Sequence, residues 1–453
     1  MGQSINTTFM AKTLAVAVTA IMASSAHAAQ TEQQQIQQLR QEVESLKTLI
    51  QQQHQVQQQQ QTQIEQVKAQ PVQLAAAPVA KSDASLTAFK TKAGANVKLY
   101  GFIRGDANYI VKGADNDFNS VNTSKEEASD KLRATAKITR FGLDFDTPVG
   151  DDKVGGKVEV DFASASESLR IRHAYVTYNN WLLGQTTSNF LSSHAPEMID
   201  FNTNMGGGTT RIPQVRYNYK LAPTTQLLVA MERGGSTANQ QKRIVTEVRD
   251  NSGAVIAPKI TFETVASDVK YSLPTLTAKL TQGFAEGKGT ASARALLEQY
   301  KDDSVNDDKT GWGVAAGMNY QVSPPLKVSV DVSHVVGNSN YLYGSNSAYY
   351  IDPVSKNIEQ NKFNAVQLGA TYKFSPQFRS TLAYGGMYAD DGSDYARLNT
   401  AANEKVQQAW INFIYSPATP IDLGVEYVNG KRDTFAGNSY KDNRFGLMAK
   451  YSF

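Results

Sequence analysis

The chain has no cysteine among its 453 residues. That excludes a disulfide scaffold and any thiolate metal site, and it fits an oxidising compartment only by default. Histidine is scarce. His27, His54, His173, His194 and His334 are the full set, and none sits in a metal-binding spacing such as H-E-x-x-H. No G-x-S-x-G elbow occurs. The glycine run Gly206 to Gly208 is followed by no Lys-Ser/Thr pair and opens no predicted helix, so it reads as loop freedom. The expected class is therefore not an enzyme, with no cofactor and no metal. Net charge is only +3, which gives no electrostatic case for nucleic acid. Past the N-terminal segment, no run approaches the roughly 18 apolar residues of a membrane-spanning helix.

Tyrosine is abundant. Its 21 copies exceed histidine, methionine and tryptophan combined, in a chain whose mean hydropathy is −0.41. Tyrosine-rich but polar on average is odd for a soluble enzyme. It suits a barrel with a wet interior and aromatic belts at two interfaces.

The N-terminus reads as an export signal over 1–28. Lys12 precedes an apolar run from Leu14 to Ala23, and Ala26-His27-Ala28 makes a small-x-small cleavage site. The core of about ten residues is too short to span a bilayer as a helix. Met1 and Met10 both serve as starts of this pattern. Residues 29–70 are glutamine-rich and carry Ile36, Leu39, Val43, Leu46 and Ile50 at alternating steps of three and four. That spacing predicts a periplasmic coiled coil, and such a seam needs other copies of the chain to bury it. Its β-branched and leucine pattern leans to a dimer and does not by itself give a trimer. Residues 71–96, rich in Ala, Val, Pro, Ser and Lys, read as a linker.

From 97 to 453 the texture changes to runs of roughly ten residues with alternating polarity. Phe445, Leu447, Ala449, Tyr451 and Phe453 share one face, while Arg444, Gly446, Met448, Lys450 and Ser452 share the other. Leu326, Val328, Val330 and Val332 oppose Lys327, Ser329, Asp331 and Ser333. Ala409, Ile411, Phe413 and Tyr415 oppose Gln408 and Asn412, with Trp410 and Ile414 as exceptions. Short turns are expected at 147–150, 179–180, 222–223, 273–274, 323–325, 375–376 and 416–417. Long polar loops are expected near 112–130, 186–210, 234–258, 287–309, 337–361, 390–403 and 431–441. Short turns alternating with long loops are the signature of an outer-membrane barrel. The expected fold is an all-β transmembrane barrel of about 16 antiparallel strands, wide enough for an aqueous channel. One stretch breaks the pattern. Between Leu132 and Asp146 the apolar face changes parity, which a β-bulge or a subunit contact would explain. The first strand's outer face is small (Gly101, Gly105, Ala107), which suggests an oligomer interface there.

Candidate pore-lining residues are arginines on polar faces. Arg170 and Arg172 sit two apart on a strand, roughly 6.6 Å, so each could take one carboxylate of a small diacid. Arg104 and Arg140 occupy polar positions of the first two strands, and Arg211 and Arg216 follow the third long loop. Asp106, Asp144 and Glu159 stand near enough in sequence to balance them, so plain solvated lumen charge is the competing reading. The third long loop, Thr186 to Thr210, holds Leu191, Pro196, Met198, Ile199, Phe201 and Met205. A loop so apolar is expected to fold into the barrel and narrow it, with Glu197 and Asp200 facing the arginines.

Several of these runs resemble a known family. Tyr100-Gly101-Phe102-Ile103-Arg104-Gly105-Asp106, Gly113 to Phe118, Leu169 to Tyr175, and Asn189-Phe190-Leu191 through Pro196 to Phe201 look like the DcaP-like porins of Acinetobacter and relatives. The resemblance implies a homotrimeric sixteen-stranded barrel with a periplasmic coiled coil. It also implies uptake of dicarboxylates, including aromatic ones, with passage of other small anions. The expected partners are thus small organic anions, outer-membrane lipid and lipopolysaccharide, further copies of the chain, and peptidoglycan if the coiled coil reaches it. A general non-selective porin and a mainly structural tether remain as alternatives.

Overall fold

The computed structural model describes residues 88–453, apart from 92, 93, 165, 250, 251, 254 and 306. The expected leader, the coiled coil and the linker up to residue 87 lie outside the described residues. At the linker's far end, Ala88–Lys90 pairs back on Asn96 to Lys98.

Sixteen antiparallel strands close into one barrel. They are β1 (Asn96–Gly113), β2 (in two segments, Ala128–Thr135 and Arg140–Val149), β3 (Asp152–Asp161) and β4 (Arg170–Tyr178). Next come β5 (Trp181–Thr187), β6 (Arg211–Ala222), β7 (Thr225–Glu232) and β8 (Thr275–Phe284). Then follow β9 (Gly289–Asp302), β10 (Asp307–Ser323), β11 (Leu326–Val336) and β12 (Lys362–Lys373). The last are β13 (Phe378–Ala389), β14 (Asn403–Ala418), β15 (Ile421–Thr434) and β16 (Ser439–Ser452). β1 bonds to β2 on one side and to β16 on the other, so the cylinder has no free edge.

The alternation explains the closure. On β16, Phe445, Leu447 and Tyr451 are exposed outward, while Arg444 and Met448 are buried inward. Backbone groups inside a bilayer have no water to bond, so a closed sheet with an apolar exterior is the strand solution. Tight turns join the strands at one end, as at Asn179-Asn180, where Asn179 has φ 50°. By the short-turn rule this end is periplasmic.

Two register shifts re-aim side chains. Asp106 pairs with Thr135, yet Phe102 pairs with Arg140, so β2 carries one extra residue between its segments. This bulge turns the outward set from Leu132 to Phe141 and Leu143, the parity change noted in the sequence. A second shift between Glu159 and Val160 leaves Arg172 unpaired on β4, and Arg172 and His173 both turn inward.

Some expected connections are corrected. The loop expected at 287–309 is mostly strand β9, joined to β8 by a short turn around Ala285–Gly287 and to β10 by four residues, 303–306. Leu273-Pro274 is not a periplasmic turn. It ends a long outer excursion containing a hairpin, Ala238–Arg249 against Val255–Ser267. The loop expected at 431–441 shrinks to a tip at 435–438.

Trp410 and Ile414, which break the alternation of β14, point inward and are 1% and 3% exposed. Leu296, Phe363, Val406 and Met448 are likewise buried on the inner side. Apolar side chains in a wet lumen need a cover, and the third outer loop supplies it.

Candidate functional site

The third outer loop spans residues 188–210 between β5 and β6. Phe190, Leu191, Ile199 and Met205 are almost wholly buried. Each such burial stabilises by roughly 1.5–3 kcal/mol. Inward glycines receive the loop. A Cβ at Gly369 would stand 2.5 Å from Pro196, one at Gly424 2.6 Å from Ile199, and one at Gly313 3.0 Å from Phe190. Gly385 leaves room for the backbone of Met205.

The loop backbone makes a few turn bonds of its own, such as Thr203 N–H to Asp200 O at 2.9 Å, and polar strand residues satisfy further groups. Arg294 and Lys279 donate to the carbonyls of Phe190 and Leu191, at 3.1 and 3.0 Å. Arg104 donates to Ile199 O at 2.6 Å. Trp410 and Asn412 donate to Glu197 O at 3.1 and 3.0 Å. Glu426 accepts the N–H groups of Ile199 and Asp200 at 2.8 and 3.1 Å. The anchoring side chains belong to β1, β8, β9, β14 and β15, so the inner faces of β2 to β6 carry none of these bonds.

Those faces carry the arginines. Arg170 grips Asp161 with two bonds, 2.8 and 2.7 Å. Arg172 bridges Glu159 and Asp161 at 2.7 and 2.8 Å. The pair expected to hold a diacid is therefore already occupied by carboxylates of β3. Arg140 lies 3.4 Å from Glu159 and rests over the ring of Phe102. Arg211 shares this electrostatic neighbourhood with Arg140, Arg170 and Arg172. Arg216 stands apart, nearer Tyr175 and Glu232. Among the described residues neither Arg211 nor Arg216 has an ion-pair partner, and each has a buried Nε without a hydrogen bond.

The remaining expected residues take other roles. Arg104 pairs with Asp106 at 2.6 Å and is 3% exposed, so it holds the loop and does not face open lumen. Asp200 does not face the arginine wall as expected. It is buried, accepting from the backbone of Asn119 at 2.6 Å, and so ties the third loop to the first. Glu197 is half-exposed and locked bidentately to Arg379, at 2.9 and 2.8 Å. Phe201 projects into the lumen within cation–π range of Arg104 and Arg140.

Residues 22–257 and 272–453 match the family described as DcaP outer membrane protein. The crystal structure of the outer membrane channel DcaP of Acinetobacter baumannii is 65% identical, with a TM-score of 0.73, and the match covers 81% of this chain and 100% of that one. The chain belongs to the DcaP outer membrane protein family. It is an outer-membrane channel with a sixteen-stranded barrel, and its family and solved relatives are channels. OmpF of Salmonella typhi, solved with daunomycin, is 14% identical with a TM-score of 0.52, covering 81% of this chain and 100% of that one. At that identity it shows the fold alone. No curated protein matches the chain.

Within this DcaP family channel, sequence reasoning missed the strand residues that hold the loop: Arg294, Lys279, Glu426 and Arg379. A signal existed. Inward apolar residues such as Trp410, Ile414 and Met448 mark the strands on which the loop lies.

Proposed function

We propose that this channel passes small organic anions, dicarboxylates and aromatic ones among them, between an arginine-bearing wall and a third loop that narrows the lumen. One observation carries the reading: among the described residues Arg211 and Arg216 have no ion-pair partner, and their Nε groups are unbonded. Two fixed guanidiniums with unused donors favour planar carboxylates over inorganic ions of like charge. Phe201, 39% exposed beside Arg140, offers a ring face to an aromatic solute.

Planar-bilayer reversal potentials test this. Anion preference, with block by phthalate that falls when Arg211 and Arg216 become glutamine, is the expected result. Equal permeation of anions and cations with no block would leave a general porin. That second reading is favoured by one feature: Asp106, Asp161 and Glu159 already neutralise Arg104, Arg170 and Arg172.

We also propose that the chain assembles as a homotrimer embedded among lipid and lipopolysaccharide, with the exported segment 29–70 forming a coiled coil in the periplasm. Deleting Thr31 to Ala95 separates transport from a tethering role. Conductance that survives while envelope integrity fails would favour the tether to peptidoglycan.

A further inference from the structure

Below the third loop, on the wall opposite the arginines, three cations share one patch. Lys373 on β12 is the register partner of Arg379 on β13. Lys327 on β11 is the partner of Thr371, two residues before Lys373 on the same inner face. Like charges directly opposite in a sheet repel. The patch is nevertheless assembled where β11, β12 and β13 approach their periplasmic turns.

Its compensation is partial. Glu197 descends from the loop and is fully engaged by Arg379. Lys327 and Lys373 have neither an ion pair nor a side-chain hydrogen bond among the described residues. With three cations and one carboxylate, two positive charges are left over. They line a cleft of about 290 Å³ with Gln321, Thr371 and Pro325, roofed by Ala195 and Glu197. That is the liquid volume of roughly ten waters, enough for a small diacid with part of its hydration.

We propose that this cleft is a second anion site, on the periplasmic side of the third loop, and that it takes small dianions: a short dicarboxylate or hydrogen phosphate. The two ammoniums match two negative charges, and the Thr371 hydroxyl and Gln321 amide can hydrogen-bond an oxyanion. Lysine suits an exit. Its ammonium is a mobile, well-hydrated point charge that holds an anion less rigidly than a guanidinium fork. Conduction needs sites weak enough to leave. An anion passing the arginine wall would meet this patch before the periplasm. The proposal adds a site to the anion reading above and does not require Arg211 or Arg216 to bind.

The test uses the full-length channel in planar bilayers, with succinate or phosphate added to one side at a time. Acetate is the monovalent control. Lys327→Gln with Lys373→Gln should weaken block by periplasmic succinate and phosphate by roughly fivefold to tenfold, the scale of two half-exposed charge contacts. Acetate should change little. Lys153→Gln, a lysine at the same end on β3, separates a site from a general field. If Lys153→Gln weakens dianion block as much as the double variant, or if the double variant leaves it unchanged, the cleft is not a site. Gel mobility before and after heating checks that each barrel has folded. The arginine reading fails separately, on phthalate added to the outer side of the Arg211→Gln, Arg216→Gln channel.

Discussion

Arg294 and Asp331 form an ion pair of 2.6 Å with side chains only 0% and 2% exposed, and each also grips the third loop. Arg294 donates to Phe190 O, and Asp331 accepts from the Ser192 hydroxyl at 2.5 Å. The pair reaches from β9 to β11 across β10, where Gly317 presents no side chain to obstruct it. A buried pair gains little net stability over an apolar one, but losing one partner strands the other.

Asp331→Asn should therefore unseat the loop's first half without opening the barrel. It leaves Arg294 charged and buried, a cost of about 3–5 kcal/mol borne mainly at Phe190 to Ser192. Single-channel conductance should rise and become noisier, while the folded band on unheated gels persists. A channel with wild-type conductance and noise would show that the pair does not hold the loop.

The glycine bed gives a second expectation. Gly369→Leu places a side chain where Pro196 sits, and Gly424→Val places one against Ile199. Cores resist overpacking by typically 1–3 kcal/mol, and here the element free to yield is the loop. Both variants should raise conductance and admit larger sugars in liposome swelling. Gly392, on an outer loop where a Cβ would meet nothing nearer than Asp390 Oδ1 at 3.6 Å, is the control. If Gly369→Leu swells no faster than Gly392→Ala, the loop is seated by something other than the glycines.

The barrel was legible because lipid and water impose a two-residue period that survives in β11, β12 and β16. Where the lumen is not watery the period blurs. β9 turns Leu296 and Tyr300 inward beneath the loops and sets Ala293, Ala295 and Gln299 outward, so it read as loop. The arginines illustrate a different limit. Alternation put Arg170 and Arg172 on the lumen face, but their carboxylates come from β3. Which residue of β3 they meet depends on a bulge between Glu159 and Val160 that no local pattern announces. Asp200 and Glu197, three apart in one loop, take opposite fates because Asn119 and Arg379, far away in sequence, meet them.

Neutralised and free arginines should differ in a measurable way. Arg170→Gln removes a charge whose carboxylate, Asp161, keeps Arg172 as a partner. Arg211→Gln with Arg216→Gln removes guanidiniums that have no ion-pair partner among the described residues and whose Nε groups are unbonded. The double variant should weaken phthalate block by about tenfold or more, given 1.5–3 kcal/mol for hydrogen bonds to charged groups, against under about threefold for Arg170→Gln. Equal losses would mean that net lumen charge, and not contact, sets the affinity.

On the proposed reading, Phe201 is the residue that would favour aromatic solutes. Its ring lies 5.1 Å from the guanidinium carbon of Arg104 and 5.9 Å from that of Arg140, yet it stays partly exposed. A benzene dicarboxylate at this wall could set its carboxylates on arginine and its ring on Phe201. Succinate could use only the first contact. Aromatic pairs add about 0.5–1.5 kcal/mol beyond area burial, so Phe201→Leu should lower the ratio of phthalate to succinate affinity by roughly twofold to tenfold. Succinate block itself should stay constant, because leucine keeps the apolar bulk and leaves the charges alone. A fall in both affinities together would point to a shifted loop, and an unchanged ratio would remove Phe201 from recognition.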